Sequence, residues 1–226
     1  MSRTRGKGFF SARIAAAGWL AVLVCVSTQT AAAPLEVSAL QRNGTPLVGA
    51  VITLESSGPP MPPAAPTHAI LDQLDLTFVP DVLIVPVGST ISFPNSDAVS
   101  HQVYSFSPVH RFQLPLYRGK PYPPVQFDQP GVVTLGCNIH DNMLAYVVVT
   151  DAPFFGRSDA KGVWSTPDLP KGSYRLRVWH PLLNEPSGDV ARTVEIGGPN
   201  PPDLTVRLTR ALRPAPLKGR PHSWDY

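Results

Sequence analysis

The amino-acid sequence predicts an all-β protein built from β-sandwiches. Of its 226 residues, 27 are proline and 17 are glycine, and these turn-forming residues separate short apolar runs along the chain. After residue 33, no apolar pattern of helical period continues for more than a turn or two. The runs instead alternate or are continuous over the length of a strand. Chains with this pattern bury their apolar faces by packing sheet on sheet.

The predicted strands follow one another along the chain, with turn residues between them. Turns are indicated at Asn43-Gly44, at Val87-Gly88 and at Lys171-Gly172. The apolar runs that predict strands are 35–40, 51–54, 82–87, 90–93, 132–135, 144–149, 174–178, 193–196 and 204–208.

The first 32 residues are typical of a secretory signal peptide rather than of the fold. Four basic residues without an acid come first, followed by an apolar run over 14–26 and then Ala31–Ala33 as small residues for cleavage. The run is too short for a typical membrane span. We therefore expect cleavage after Ala32, a periplasmic protein, and no stable membrane insertion afterwards; the alternative is an uncleaved anchor.

The charge of the chain changes when the signal peptide is removed. Four of the 19 Lys and Arg residues leave, so that 15 remain against 16 Asp and Glu. Residues 210–226 form a basic, proline-rich tail without a strand pattern, and 58–66 form a stiff linker of proline and alanine. This balance predicts no nucleic-acid partner.

The cysteine content points to a special role for one thiol. Cys25 lies in the signal peptide, so the mature chain retains only Cys137. Proteins of oxidising compartments normally pair their cysteines. A lone cysteine is a buried bystander, a reactive thiol or a metal ligand.

The neighbours of Cys137 favour a metal ligand. Cys137-x2-His140-x2-Met143 lies in a short loop between two predicted strands, and His101 follows an earlier strand. Two imidazoles and a thiolate with a weak axial thioether are the ligands of a mononuclear blue-copper site. The sequence thus predicts one copper ion on these four residues. Asn95 is expected to cross-link the two ligand loops or to donate an amide hydrogen bond to the sulfur.

Other interpretations of these residues are weaker. A buried, inert cysteine remains the simplest alternative. Zinc is disfavoured because its structural sites use several cysteines or histidines and no methionine. A binuclear copper centre needs a second cysteine, and no further signature of a cysteine protease is present. The remaining histidines are expected to be structural or exposed: His68, His110, His180 and His222.

The ligand segments resemble those of plastocyanin- and azurin-like cupredoxins, and the short ligand loop is most similar to that of amicyanin. The wider strings are similar to exported bacterial proteins of the "methylamine utilisation" type. The resemblance implies an eight-stranded Greek-key sandwich, one type 1 copper and outer-sphere electron transfer. Ile139 stands where many cupredoxins have proline, so the rigidity of the loop is not implied. The strings are Phe93-Pro-Asn-Ser-Asp, His101-Gln-Val-Tyr-Ser-Phe-Ser, Phe112-Gln-Leu-Pro-Leu-Tyr and Leu135-Gly-Cys-Asn-Ile-His-Asp-Asn-Met.

The flanking segments resemble a different domain, the carboxypeptidase regulatory-like or transthyretin-like sandwich with an Ig-like layout. Its opening matches 35–54, and its continuation matches 158–181. We therefore expect one discontinuous domain, 35–60 with 151–209, into which a cupredoxin domain at 67–150 is inserted. The alternative is a tandem arrangement. This second sandwich shows no catalytic cluster.

The functional expectation is a periplasmic electron carrier and not an enzyme. His140 is expected to be the electron port, framed by Leu144, Pro115 and Tyr117, because small apolar patches suit transient redox encounters. The partner would be a redox protein such as a cytochrome or a dehydrogenase. The alternative function is a copper-binding structural or copper-delivery module of an envelope assembly.

Overall fold

A computed structural model describes residues 34–119, 122–198 and 202–215. The predicted signal peptide and the end of the tail, 216–226, lie outside the described residues. The described part consists of strands, turns and bends, and none of it is a helix long and apolar enough to cross a membrane. The predicted all-β class is confirmed.

The described residues form strands numbered here in chain order. They are β1 Glu36–Leu40, β2 Val51–Ser56, β3 His68–Ile70, β4 Asp72–Leu74, β5 Thr77–Val79, β6 Val82–Pro86, β7 Ser89–Ser92, β8 Val103–Ser107, β9 His110–Gln113, β10 Val125–Phe127, β11 Gly131–Cys137, β12 Leu144–Thr150, β13 Phe154–Arg157, β14 Val163–Ser165, β15 Gly172–Trp179, β16 Val190–Ile196 and β17 Thr205–Arg207.

One sandwich combines the first two strands with the last five. Its sheets have the orders β14-β1-β17 and β13-β2-β15-β16, and they enclose an apolar core that includes Leu54, Tyr174 and Leu176. β1 and β2 each lie in the middle of their sheet, between strands that come from 154–207. Leu54 pairs directly with Phe154, so the chain leaves this sandwich after β2 and returns next to the point of departure.

The other sandwich lies between these segments. Its sheets have the orders β6-β12-β11-β8-β9 and β10-β7-β3, which gives eight strands among the described residues. β6 pairs parallel to β12, and β3 pairs parallel to β7. The core between the sheets contains Phe93, Phe127 and Leu135, and at one end also Cys137 and Met143.

A short hairpin, β4-β5, lies beside this second sandwich. Asp75 and Leu76 form its turn with φ angles of 52° and 56°, the left-handed region that tight hairpin turns require. A bridge between Gln73 and Asn95 attaches the hairpin to the segment that follows β7. The hairpin therefore borders the stretch of chain that leads to His101.

The two sandwiches meet through a small apolar cluster. Val51 of the first packs with Val82 and Val148 of the second. The rings of Tyr146 and Trp179 meet edge to face at 5.6 Å between centroids. Val51, Val82, Val148 and Tyr146 lie outside both main cores, whereas Trp179 packs against the core of the first sandwich as well as against this cluster.

Eight strands were not predicted from the apolar runs: β3, β4, β5, β8, β9, β10, β13 and β14. They are three to five residues long, and several carry polar side chains on the buried face, such as Gln73 and Ser105. Gln73 Nε2 donates to the Pro94 carbonyl and to the Tyr117 hydroxyl, and Ser105 Oγ accepts from the Ser107 N–H of the same strand. A periodicity of apolar residues cannot reveal such strands.

Candidate metal centre

Two strand ends bring the predicted ligands together. β11 ends at Cys137, and the loop that carries His140 leads into β12. Cys137 pairs with Val103 at the start of β8, which places His101, two residues earlier, beside the sulfur. Within the loop the Met143 N–H donates to the His140 carbonyl at 3.0 Å.

Three ligand atoms converge at this end of the sandwich. The Nδ1 atoms of His101 and His140 are 3.0 Å apart, and the Cys137 Sγ lies 3.9 Å and 3.7 Å from them. With metal bonds of about 2.0–2.1 Å to nitrogen and about 2.3 Å to sulfur, ligands in a trigonal plane are separated by about 3.5–3.8 Å. The observed separations agree to within about half an ångström, and the three side chains could hold one metal ion.

Burial differs between the ligands. His101 is fully buried and Cys137 is 4% exposed, whereas His140 is half-buried. Met143 is 2% exposed and belongs to the same core cluster as Cys137. The site is therefore closed on its inner side and reaches the surface at His140.

Opposing effects act on the thiol of Cys137. Burial raises its pKa, but hydrogen bonds from His101, from the backbone N–H groups of Gln102 and Ile139 and from His140 lower it more, to about 6. The Gln102 N–H lies 3.5 Å from the sulfur. The surroundings of the thiol thus favour the thiolate, which is the form that binds metals.

Asp97 is a residue of the site that was not expected. Its Oδ2 lies 2.7 Å from the Nε2 of His101, on the side of the imidazole opposite the cluster of ligand atoms. Its carboxylate also accepts hydrogen bonds from the N–H groups of Asp75 (2.7 Å) and Leu76 (3.0 Å) in the hairpin turn. The only signal in the sequence is an acid four residues before a predicted histidine ligand.

Charge and burial compete in the pair of Asp97 and His101. Burial raises the pKa of Asp97. Hydrogen bonds from His101 and from the turn lower this pKa by more than burial raises it, so it lies below the usual value. Burial lowers the pKa of His101, but Cys137 and Asp97 raise it more. The surroundings therefore favour the ionised carboxylate of Asp97, hydrogen-bonded to the imidazole of His101.

Asn95 acts on the loop of His101 rather than on the sulfur. Its Nδ2 donates to the carbonyls of Val99 (2.9 Å) and Tyr117 (3.0 Å), and its Oδ1 accepts from the Asp97 N–H at 3.0 Å. The expected amide donor to the Cys137 sulfur is the Gln102 backbone instead. Asn95 shapes one ligand loop, and no described hydrogen bond joins it to the other.

Tyr117 does not lie on the surface around His140, where it was expected. Tyr117 is buried, and its hydroxyl donates to the Phe93 carbonyl at 2.5 Å and accepts from Gln73 Nε2 at 2.6 Å. Its backbone exchanges two hydrogen bonds with His101, at 2.9 and 3.0 Å. Tyr117 pairs with His101 through an antiparallel bridge, and the Tyr117 ring is buried. Tyr117 therefore holds the backbone of this ligand and does not form part of the surface.

Apolar side chains are exposed on the segments next to the ligands. Pro115 is exposed, and Leu144 is 37% exposed directly after the ligand loop. Ile139, next to His140, and Leu116, next to Tyr117, are also exposed. Ile139 and Leu116 were not among the predicted surface residues, because apolar residues beside buried ones give no signal of exposure in the sequence.

The other histidines lie apart from the cluster. His68 contacts the hydroxyls of Thr90 and Ser92. His110 packs against the rings of Phe112 and Phe127, and His180 accepts a hydrogen bond from the Leu182 N–H. His222 lies outside the described residues. Within the described part of the chain, His101, Cys137 and His140 are the one group placed to hold a metal.

No family model and no curated protein matches the chain. Among solved structures, it is similar to a purple cupredoxin from Nitrosopumilus maritimus, with 23% identity over 36% of this chain and 99% of that one and a TM-score of 0.34. A reduced Cu(I) form of an amicyanin mutant matches with 24% identity over 44% and 98%, also at 0.34. A copper-containing nitrite reductase from Thermus scotoductus matches with 21% identity over 50% and 28%, again at 0.34.

Proposed function

We propose that this chain is an exported protein with one type 1 copper ion that acts in outer-sphere electron transfer. The observation that carries the proposal is the convergence of two imidazole Nδ1 atoms and one buried Sγ, from His101, His140 and Cys137. Met143, buried in the same core cluster, is proposed as a fourth, weaker ligand.

The donor set fits copper better than other metals. One thiolate, two imidazoles and a thioether are soft or intermediate ligands, whereas structural zinc sites do not use methionine. A copper ion bound here would supply one-electron redox chemistry. The chain supplies the thiolate, surrounds it with an apolar core, and holds the ligand atoms close together.

Fixed ligands favour electron transfer over metal delivery. His101 is held by two backbone hydrogen bonds to Tyr117 and by Asp97, and the Cys137 sulfur accepts from Gln102. A site that keeps its geometry reorganises little when its charge changes, whereas a delivery site must release its ligands to a receiver. This rigidity supports the carrier.

The proposed route for electrons leads through His140. It is the half-buried ligand, and Ile139, Leu144 and Pro115 expose apolar surface on the neighbouring segments. A partly apolar surface suits a short-lived complex with a redox protein such as a cytochrome or a dehydrogenase. We place this exchange in the periplasm and assign no catalytic residue to the chain.

The visible and EPR spectra of the copper-loaded protein test the proposal. A thiolate bound to Cu(II) gives an intense charge-transfer band, so the oxidised protein should be coloured and Cys137→Ser should be colourless while it still folds. His68→Ala is the matched control and should keep the colour, because His68 lies outside the cluster. A colourless copper-loaded wild-type protein would rule out a type 1 site.

Kinetics separate a carrier from a delivery module. A carrier should exchange electrons rapidly and reversibly with itself and with a small redox protein, while its copper stays bound. Slow redox exchange combined with one-way transfer of copper to an apoprotein acceptor would instead identify a delivery module.

A further inference from the structure

A single carboxylate connects the ligand His101 with the β4-β5 hairpin. Asp97 is 10% exposed, and its Oδ2 lies 2.7 Å from the Nε2 of the fully buried His101. The same carboxylate accepts from the N–H groups of Asp75 and Leu76. Among the described residues it is the one acid within hydrogen-bonding distance of a ligand imidazole.

The geometry determines which nitrogen of His101 can bind a metal. An imidazole whose Nε2–H donates to a carboxylate presents the lone pair of Nδ1 on its other side. That side is where His140 Nδ1 and Cys137 Sγ lie, at 3.0 Å and 3.9 Å. A carboxylate behind a ligand imidazole fixes the orientation of the ring and raises its basicity.

We propose that Asp97 is a positioning residue of the metal centre, which holds His101 with Nδ1 directed at the metal and ties the β4-β5 hairpin to the same ligand. This inference deepens the proposed function and rests on it for its redox consequence. The negative charge beside His101 favours the more positive, oxidised state of a bound metal, and Asp97 therefore lowers the reduction potential.

Several hydrogen bonds fix the position of Asp97, so its contact with His101 is part of the fold and not accidental. Asn95 Oδ1 accepts from the Asp97 N–H at 3.0 Å and sets the backbone that carries the carboxylate. The two turn residues that donate to the Asp97 carboxylate, Asp75 and Leu76, have φ angles of 52° and 56°. Two consecutive N–H groups of a left-handed turn thus face the acid that holds His101.

The test compares Asp97→Asn with Asp72→Asn in the full chain. Asp72 carries the same charge nearby, but it accepts from Ser96 Oγ and the Gln73 N–H and contacts no ligand. Asp97→Asn should weaken copper binding about 10- to 100-fold, as loss of a partner behind a metal ligand does, and it should raise the reduction potential. Asp72→Asn should stay within about twofold of wild-type affinity, with a smaller change in potential.

Measurements on the metal-free protein keep this inference separate from the proposed function. In the wild-type apoprotein, NMR should show a proton on His101 Nε2, and the Asp75 and Leu76 amides should exchange at least about tenfold faster in Asp97→Asn, since hydrogen bonds to charged groups are the stronger ones. Asp97→Ser, which also removes the charge, should behave in the same way.

The outcomes are distinct. A deprotonated Nε2 in the wild-type apoprotein would overturn the positioning role without any variant. If Asp97→Asn has the copper affinity and the reduction potential of the wild-type protein, the positioning role of Asp97 is also wrong. Failure of the wild-type protein to bind copper would refute the proposed function, and the Nε2 proton and the turn amides would still report on Asp97.

Discussion

Burial and hydrogen bonding act in opposite directions on the Cys137 thiol. The hydrogen bonds prevail, and its pKa is about 6 instead of about 8.5 for a free cysteine. In the apoprotein, thiolate absorbance near 240 nm should therefore appear as the pH rises through about 6, and in urea only at about 8.5. Cys137→Ser serves as the blank, and a native midpoint above 8 would contradict the hydrogen bonding described at the sulfur.

Met143 should tune the metal rather than hold it. A weakly bound thioether would contribute little to affinity, whereas a stronger oxygen donor in its place would favour Cu(II). Met143→Gln should keep copper and colour and have a lower reduction potential, as measured by redox titration. An empty site at stoichiometric copper would make Met143 a primary ligand.

Leu144 tests the electron port. Leu144→Lys places a charge on the surface beside the ligand loop, and that charge must lose water when a partner docks. Electron self-exchange should slow at least about tenfold, or about 1.4 kcal/mol, while the colour is retained. Val48→Lys, at an exposed position of the first sandwich, should leave the self-exchange rate unchanged. Equal rates in both variants would show that electrons do not leave beside Leu144.

At the scale of an element, the turn before β14 depends on Gly162. Its φ is +74°, and a Cβ there would lie 2.5 Å from the Ala39 carbonyl oxygen. Backbone atoms of Pro46 and Leu47 are also within 3.1 Å, so the neighbours cannot move aside by rotating a side chain. The turn is thus packed against the β1 segment without space for any side chain.

Gly162→Ala should destabilise the protein by about 3 kcal/mol or more, because backbone strain and overpacking act together. Gly188→Ala is the matched control: its φ is +78°, but no atom lies within 4 Å of the added Cβ, so it should cost only about 1 kcal/mol. The midpoints of urea unfolding measure the difference. Equal midpoints would show that the turn can shift away from β1.

At the scale of the whole molecule, the division into domains remains a prediction that fragments can test. All strands from β3 to β12 lie within 67–150, so this fragment should fold and bind copper. Residues 151–209 alone should not fold cooperatively, because they lack β1 and β2, the middle strands of both sheets, and would expose unpaired edges.

A rejoined chain is the control for this prediction. Leu54 pairs with Phe154, so a Gly/Ser linker of about four residues between 35–57 and 152–209 spans the gap of a hairpin. This rejoined chain should fold in thermal unfolding, while 151–209 does not. Cooperative unfolding of 151–209 by itself would argue for the tandem arrangement.

Those residues of the candidate site that lie close together in the sequence could be predicted. Cys137, His140 and Met143 lie in one short loop, and the strands on either side are apolar runs. The tie between Asp97 and the hairpin turn and the inward position of Tyr117 could not be predicted, because they depend on contacts between segments 21 to 22 residues apart: Asp97 to Asp75 and Leu76, and Tyr117 to Asn95.

The all-β class, the longer strands and the candidate ligands could be inferred from the sequence, since alternating apolar residues and donor types are properties of neighbouring positions. The short polar strands, the burial of His101 next to the half-buried His140, and the carboxylate beside His101 could not be inferred without the fold. Those features arise when separate segments of the chain pack together, because the large majority of buried polar groups need a hydrogen-bond partner that the fold brings to them.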